Sequence, residues 1–251
     1  MCIRDRSPAQ ALASAATCMP QNTFPYRLYE IRVLTWAIRD PQDAKARDLL
    51  ACVLYDKGHF DRAASLWEEA HRIAPTCALY ARNLAVALFS HLHRRDEALQ
   101  LLEEAIALEP ENDQLKQEFL YAATKSGLDG EKRIEVIRRY PVGNKPKDDL
   151  VLEQAKAFCV AGRYDDAEKV MLDHEFVPAE GGERAITGLY YAIRLHKGRK
   201  ALCDGRPEEA LQIFSALHAN LPENLHAGNW TSTELVPIYY YEAVALSLIH
   251  I

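Results

Sequence analysis

Small and large apolar residues recur at helical spacing in three places along the chain. From Ala63, the residues Trp67, Ala70 and Pro75 follow at offsets of four, seven and twelve, and from Ala98, Leu102, Ala105 and Pro110 keep those offsets. In a third copy Ala210, Phe214 and Pro222 keep the four and the twelve, with Leu217 at seven; Gly205 precedes Ala210 by five residues, as Gly58 precedes Ala63. Offsets of four and seven place side chains on one face of a helix. Alanine at two of these positions lets a second helix approach closely, and proline ends the helix. The pattern predicts helix-turn-helix units that repeat and stack on their neighbours.

Phe24 to Arg39 carries Leu28, Ile31, Leu34 and Ile38 on one face and stops at Asp40-Pro41, which predicts a leading helix. A first repeat starts at Ala44, buries Leu50, Ala51 and Leu54, turns at Gly58 and continues in a second helix from Asp61 to Ala74, with Asp61 as N-cap. A second starts near Ala78, with Leu84, Ala85 and Leu88 in equivalent places. The spacing from Pro75 to Pro110 is 110 − 75 = 35, and the residue beyond the usual 34 is assigned to the His91 to Arg95 turn. The third repeat is irregular: Leu115, Phe119 and Ala122 run up to Gly127, a short second helix spans Glu131 to Arg139, and a connector, Pro141 to Lys147, reads as a bend. In the fourth, Gly162, Tyr164, Ala167 and Met171 match Gly58, Phe60, Ala63 and Trp67. A fifth spans Glu183 to Leu221 and includes Gly198, and a sixth begins at Ile238.

The small-large-small-proline signature resembles the second helix of a tetratricopeptide (TPR) unit. The expected fold class is therefore all-α, a TPR-like right-handed helical solenoid of about five helix-turn-helix repeats. Residues 22–140 hold the leading helix and repeats one to three, 141–147 the connector, and 148–246 repeats four to six, the last truncated. Residues 1–21 and 247–251 are set apart: MCIRDR at the start and LSLIHI at the end are similar to translated sequencing adapters, so a fragment of a longer protein is expected.

A closer resemblance rests on longer strings. FPYRLYEIRVLTWAI (24–38), ARDLLACVLYDKGHFDRAASLWEEA (46–70), RNLAVAL (82–88), EFVPAEGGERAITGLY (175–190) and LPENLHAG (221–228) resemble the helical C-terminal region of bacterial proteins carrying the domain of unknown function numbered 5107. Ala179, where that family often has tryptophan, and His226-Ala227, which interrupts a more acidic segment, depart from it. The resemblance implies a preceding β-rich domain akin to sugar-binding supersandwich folds, and hence a link to carbohydrate processing.

Composition narrows the function classes. The chain is 49% hydrophobic and 26% charged, with a net charge of -6 and basic residues interleaved with acidic ones, the profile of a folded protein with no nucleic-acid footprint. No stretch reaches the ~18 apolar residues of a membrane helix, and a cytoplasmic location is the default expectation. Six cysteines show no C-x-x-C pair and no histidine at metal-ligand spacing; Cys52, Cys159 and Cys203 are expected to pack like alanine in first helices. His91-x-His93 sits beside Arg94 and Arg95, whose charge opposes a cation. Glu68-Glu69 and Glu103-Glu104 diverge by about 100° along a helix and read as surface charge. No nucleophile elbow, P-loop or dinucleotide fingerprint is present, so no catalytic residue, metal or cofactor is assigned.

Two binding surfaces follow. On the face made by first helices, Asp48, Tyr55, Arg82, Asn83 and Phe89 offer anchors for a peptide, or an ordinary solvated groove. After two second helices, the loops holding Glu180, Gly181, Gly182 and Glu183 and Glu223, Asn224, His226, Asn229 and Trp230 should lie side by side and could hold a polyol. Alternatively the glycines merely permit positive φ and Asn224 caps a turn. The expected function is a docking scaffold without intrinsic catalysis. Its partner is a protein or peptide, a carbohydrate, or the chain's own preceding domain; the alternative is the accessory helical domain of a carbohydrate-active enzyme.

Overall fold

The computed structural model describes residues 25–141, 143, 146–177, 182–218, 221–226 and 235–250. Within them lie twelve α-helices: α1 Leu28–Ala37, α2 Ala44–Asp56, α3 Phe60–Ile73, α4 Ala78–Ser90, α5 Arg95–Leu108, α6 Asp113–Lys125, α7 Gly130–Arg139, α8 Asp148–Val160, α9 Tyr164–Leu172, α10 Glu183–Cys203, α11 Pro207–Ser215 and α12 Val236–His250. Short 3₁₀ turns occupy Ala216–His218 and Glu223–Leu225. The fold class is all-α, a succession of TPR-like helical hairpins. Helix runs on to His250, so residues 247–250 continue α12. The chain divides into two compact units at Ala122–Ala123, inside α6, whereas the sequence places its boundary at the 141–147 connector.

In the first unit α2–α3 and α4–α5 are antiparallel hairpins, with α1 packed ahead of α2. The repeated second-helix positions form the core: Ala63, Ala70, Ala98 and Ala105 are fully buried, and Trp67 and Leu102 nearly so. The α2–α3 turn closes with Gly58 at φ +80° and His59 N donating to Leu54 O, five residues back, a Schellman ending that requires a left-handed residue. In the α4–α5 turn Arg94 N instead reaches six residues back, to Leu88 O, which places the extra residue of the 35-residue spacing here. His93 fills the left-handed position of that longer turn at φ 57°. One expectation is corrected: α3 starts at Phe60 with His59 as N-cap, so Asp61 lies within the first turn, where its charge favours the helix dipole without capping.

In the second unit Gly162 and Gly205 repeat the turn of Gly58, with Arg163 N bonded to Phe158 O and Arg206 N to Ala201 O. Ala167, Met171, Ala210 and Phe214 are fully buried and Leu217 nearly so, as their offsets require. The short helix α7 packs on α8 through Gly130, where a Cβ would press on the backbone of Ala157 and Ala161. At 21 residues α10 is longer than the 13-residue α2, α4 and α8, and Gly198 lies within it, its bare backbone pressed on the Phe214 ring.

A further regularity was missed from sequence. Arg47, Lys116 and Arg194 each stand eleven residues before a turn glycine, and all three side chains are largely buried. Arg47 donates to the carbonyls of Ile38, Asp40 and Asp43 and pairs with Glu69 at 2.8 Å; Lys116 pairs with Asp113. Arg194 pairs with Glu168 at 2.6 Å and donates to Ile213 O. In each a long cationic stem fills the space of an apolar side chain, and the heads of Arg47 and Arg194 also satisfy backbone carbonyls.

Candidate functional site

The first unit brings the predicted groove residues of α2 and α4 onto one face and connects them to α6. Asp48, 2% exposed, accepts at Oδ1 from Trp67 Nε1 at 2.8 Å and from Asn83 Nδ2 at 3.0 Å. Asn83 Oδ1 in turn accepts from Arg82 at 3.0 Å. The Arg82 guanidinium then reaches forward and grips Glu118 in a two-pronged contact, Nε to Oε2 at 2.8 Å and Nη2 to Oε1 at 2.6 Å. Gln114 adds a bond to Glu118 Oε1. Asp48 and Arg82 hold equivalent places on α2 and α4, as Asn83 and Glu118 do on α4 and α6, so one handshake repeats from helix to helix. Gln114 and Glu118 escaped the sequence reading because a polar residue on a groove face carries no periodic signal until its register is matched with that of the next repeat; Trp67 was legible as a core position, but not its bond to Asp48.

Burial sets the electrostatics of this face. Desolvation raises the Asp48 pKa above its ordinary value, opposed by the hydrogen bonds from Trp67, Asn83 and Cys52. The neighbouring Cys52 thiol is pushed up to about 12, mainly by burial and then by the Asp48 charge, which makes it an inert thiol. The expected apolar packing of the cysteines holds in part: Cys52 and Cys159 are half-buried, but Cys203, at the end of α10, is exposed. Arg82 is held further into its charged form by Glu118.

Beside the polar chain stands an aromatic wall. Tyr55 meets Phe60, Trp67 and His91 with ring centroids 5.2, 5.6 and 5.2 Å apart, and His91 stacks flat on Phe60 at 3.6 Å. Phe89 is half-buried on the same helix as Arg82 and Asn83. Of the paired carboxylates Glu68 and Glu104 are exposed and Glu69 and Glu103 half-buried, and three of them reach across to cations: Glu69 to Arg47, Glu104 to His71 and Glu68 to Arg94.

In the second unit the segments 173–177 and 221–226 are laced together. Phe176 N donates to Asn224 O at 2.9 Å, and the Asn224 amide donates to the carbonyls of Met171, Leu172 and His174, closing the C-terminal end of α9. His174 meets Asp148 at 2.8 Å, His226 meets Glu175, and Phe176 and Leu225 are fully buried beneath. Glu223 is exposed and Glu183 opens α10. Gly182 has φ −79°, so positive φ is not what selects glycine there. Glu180, Gly181, Asn229 and Trp230 lie outside the described residues. Among the described residues no three metal-ligating side chains converge, and no helix is long and apolar enough to cross a membrane.

The geometry defines a class: an all-α chain of TPR-like hairpins, with a polar and aromatic face on α2, α4 and α6 of its first unit. Residues 77–108, which span α4 and α5, match the family model described as Tetratricopeptide repeat. Solved structures of similar fold include two that extend over most of this chain. One is the structure of Naa15/Naa10 bound to HypK-THB, matched at a TM-score of 0.56 and 15% identity over 96% of this chain. The other is YrrB, described as a TPR protein with an unusual peptide-binding site, at 0.54 and 15% over 88%. The chain covers 34% of the first and 100% of the second, so it spans about a third of the former's length.

Proposed function

We propose that the chain is a protein-interaction scaffold whose first unit docks an extended peptide on the face formed by α2, α4 and α6. The observation that carries this reading is the connected chain from Trp67 through Asp48, Asn83 and Arg82 to Glu118, which fixes groove side chains before any partner arrives. Preorganised polar groups beside aromatic rings lower the ordering cost of binding. Similarity to a protein described as peptide-binding agrees with it.

The test is selection of a displayed random dodecapeptide library on the immobilised protein. Retained peptides should lose affinity by tenfold or more for Tyr55→Ala and Arg82→Ala, with circular dichroism unchanged. Retention that is indifferent to both substitutions would reject this face as the docking site.

The accessory role in a carbohydrate-active protein rests on the resemblance to the region that accompanies the domain numbered 5107. One fact opposes it: the Asn224 amide is spent on the backbone carbonyls of Met171, Leu172 and His174. Its test is sugar binding by the longer protein with Glu180→Ala and Glu183→Ala, where undiminished binding would remove the loops from that role.

A further inference from the structure

We propose that the chain associates head to tail with a second copy of itself: the exposed face of α12 in one molecule docks on the exposed face of α1 in the next and completes a hairpin between the two.

The repeat identifies α1 as a second helix. Pro41 precedes Pro75 by 75 − 41 = 34 residues, one repeat length, so Tyr29, Val33 and Trp36 stand where Ala63, Trp67 and Ala70 stand in α3. α1 also packs on α2 as α3 packs on α4, the contact that a second helix makes with the first helix of the next repeat. In α3 and α5 the equivalent positions are buried, because the first helix of the same hairpin lies against them. In α1 they are open: Tyr29 is 58% exposed, Val33 60% and Trp36 44%, and no helix stands before α1 among the described residues. Arg27 reaches over the Tyr29 ring, 5.9 Å from its centroid, which leaves Val33 and Trp36 as the apolar centre of the face.

α12 is the converse, a first helix without a second. It packs on α11 as α4 packs on α3, burying Ile238 and Ala245, stacking Tyr241 on Phe214 and bonding Glu242 to Ser215 and His218. On its opposite side Val236, Tyr240 and Ala243, at offsets of zero, four and seven, are exposed with Leu246 beside them, and no helix follows among the described residues. Side-chain size decides which copy of which helix covers α1. Elsewhere the second helix brings the small residues that permit close approach, Ala63 and Ala70 in α3, but α1 has Tyr29 and Trp36 there, so its partner has to supply the room. Another α1 would set bulk against bulk, whereas α12 offers Ala243. Both stripes are uncharged, so the contact desolvates no ion.

The contact is heterologous and can therefore repeat from copy to copy. One helix on one helix buries less than the roughly 1,200 Å² of a stable interface, so association should be weak and concentration-dependent.

Sedimentation velocity on the full chain over a concentration series tests this. The wild type should gain mass with concentration, and Val33→Glu and Ala243→Glu should each weaken self-association by tenfold or more. Both positions are exposed, so circular dichroism and melting should be unchanged. An equimolar mixture of the two variants should form a one-to-one pair and nothing larger, because one intact α1 and one intact α12 face remain between them. Val160→Glu, the same charge change at an exposed position on α8, should assemble as the wild type does. A wild type that stays monomeric, as when residues 1–24 of the same chain cover α1, overturns the proposal. So does self-association of Ala243→Glu alone, which would mean α1 on α1, or of Val33→Glu alone, which would mean α12 on α12. A mixture that stays monomeric, or loss of assembly in Val160→Glu, also overturns it.

Discussion

His93 shows how a single backbone angle reports on the whole repeat. It occupies a left-handed turn position with φ 57°, where Gly58, Gly127, Gly162 and Gly205 stand in the other hairpins with φ between 71° and 80°. A side chain there costs energy that glycine avoids, so His93→Gly should raise stability by about 0.5–1 kcal/mol in urea unfolding. Gly198 predicts the reverse. A methyl group at that position would overlap the fully buried Phe214 ring, and Gly198→Ala should cost about 1–3 kcal/mol by overpacking, seen as a lowered melting temperature.

Two buried carboxylates have opposite pH signatures. Asp48 is raised from 3.8 by desolvation, so the fold favours its protonated form: its contribution is complete below 3.8 and is lost as the pH rises through its folded value. Glu168 is desolvated as well, but its bonds to Lys197 and Arg194 prevail and lower it from 4.5. Its contribution is present above 4.5 and is lost as the pH falls through its folded value. The stability difference between wild type and Asp48→Asn should therefore shift against the wild type on going from pH 3 to 7, and that for Glu168→Gln in its favour. Equal slopes would refute the assignment.

At the scale of elements, the second helices were the most legible in sequence because their signal is repeated and steric. Alanine where helices touch, a large residue one turn on and a proline at the exit are needed in every hairpin, whatever surrounds it. Ala98, fully buried between α5 and its neighbours, should tolerate leucine poorly, with Ala98→Leu costing about 1–3 kcal/mol. The α9 end was not legible in this way. Its carbonyls are closed by Asn224, about fifty residues away in sequence, and no local pattern announces a cap delivered from another segment. Asn224→Ala should speed amide exchange across 173–177 while leaving α2 to α5 unaffected, because it removes the partner of those carbonyls and the fixed position of Asn224 O.

For the whole molecule, repeats that touch only their neighbours localise both stability and binding. A peptide held on the first unit should slow amide exchange in α2, α4 and α6 and leave α8 to α12 at their free rates. Uniform protection throughout the chain would contradict a site confined to that face. The division between the compact units falls within α6, where the sequence shows an unbroken helix and gives no sign of a boundary. The sequence instead marks the Pro/Gly/Lys connector, because composition records where a chain cannot be helical and not where its contacts thin out.

The sequence by itself determined the all-α class, the number and phase of the hairpins, the buried alanines and the turn carrying the extra residue. Each of these follows from spacing within one helix or one turn, where i, i+4 and i+7 neighbours decide the outcome. Only the tertiary structure decided that Asp48 is buried instead of open to the groove and that Arg82 is occupied by Glu118. It alone placed the three cations preceding the turn glycines inward and closed α9 with Asn224. These contacts join different helices, and the free energy of a polar group depends on which partner and how much water the neighbouring element leaves it.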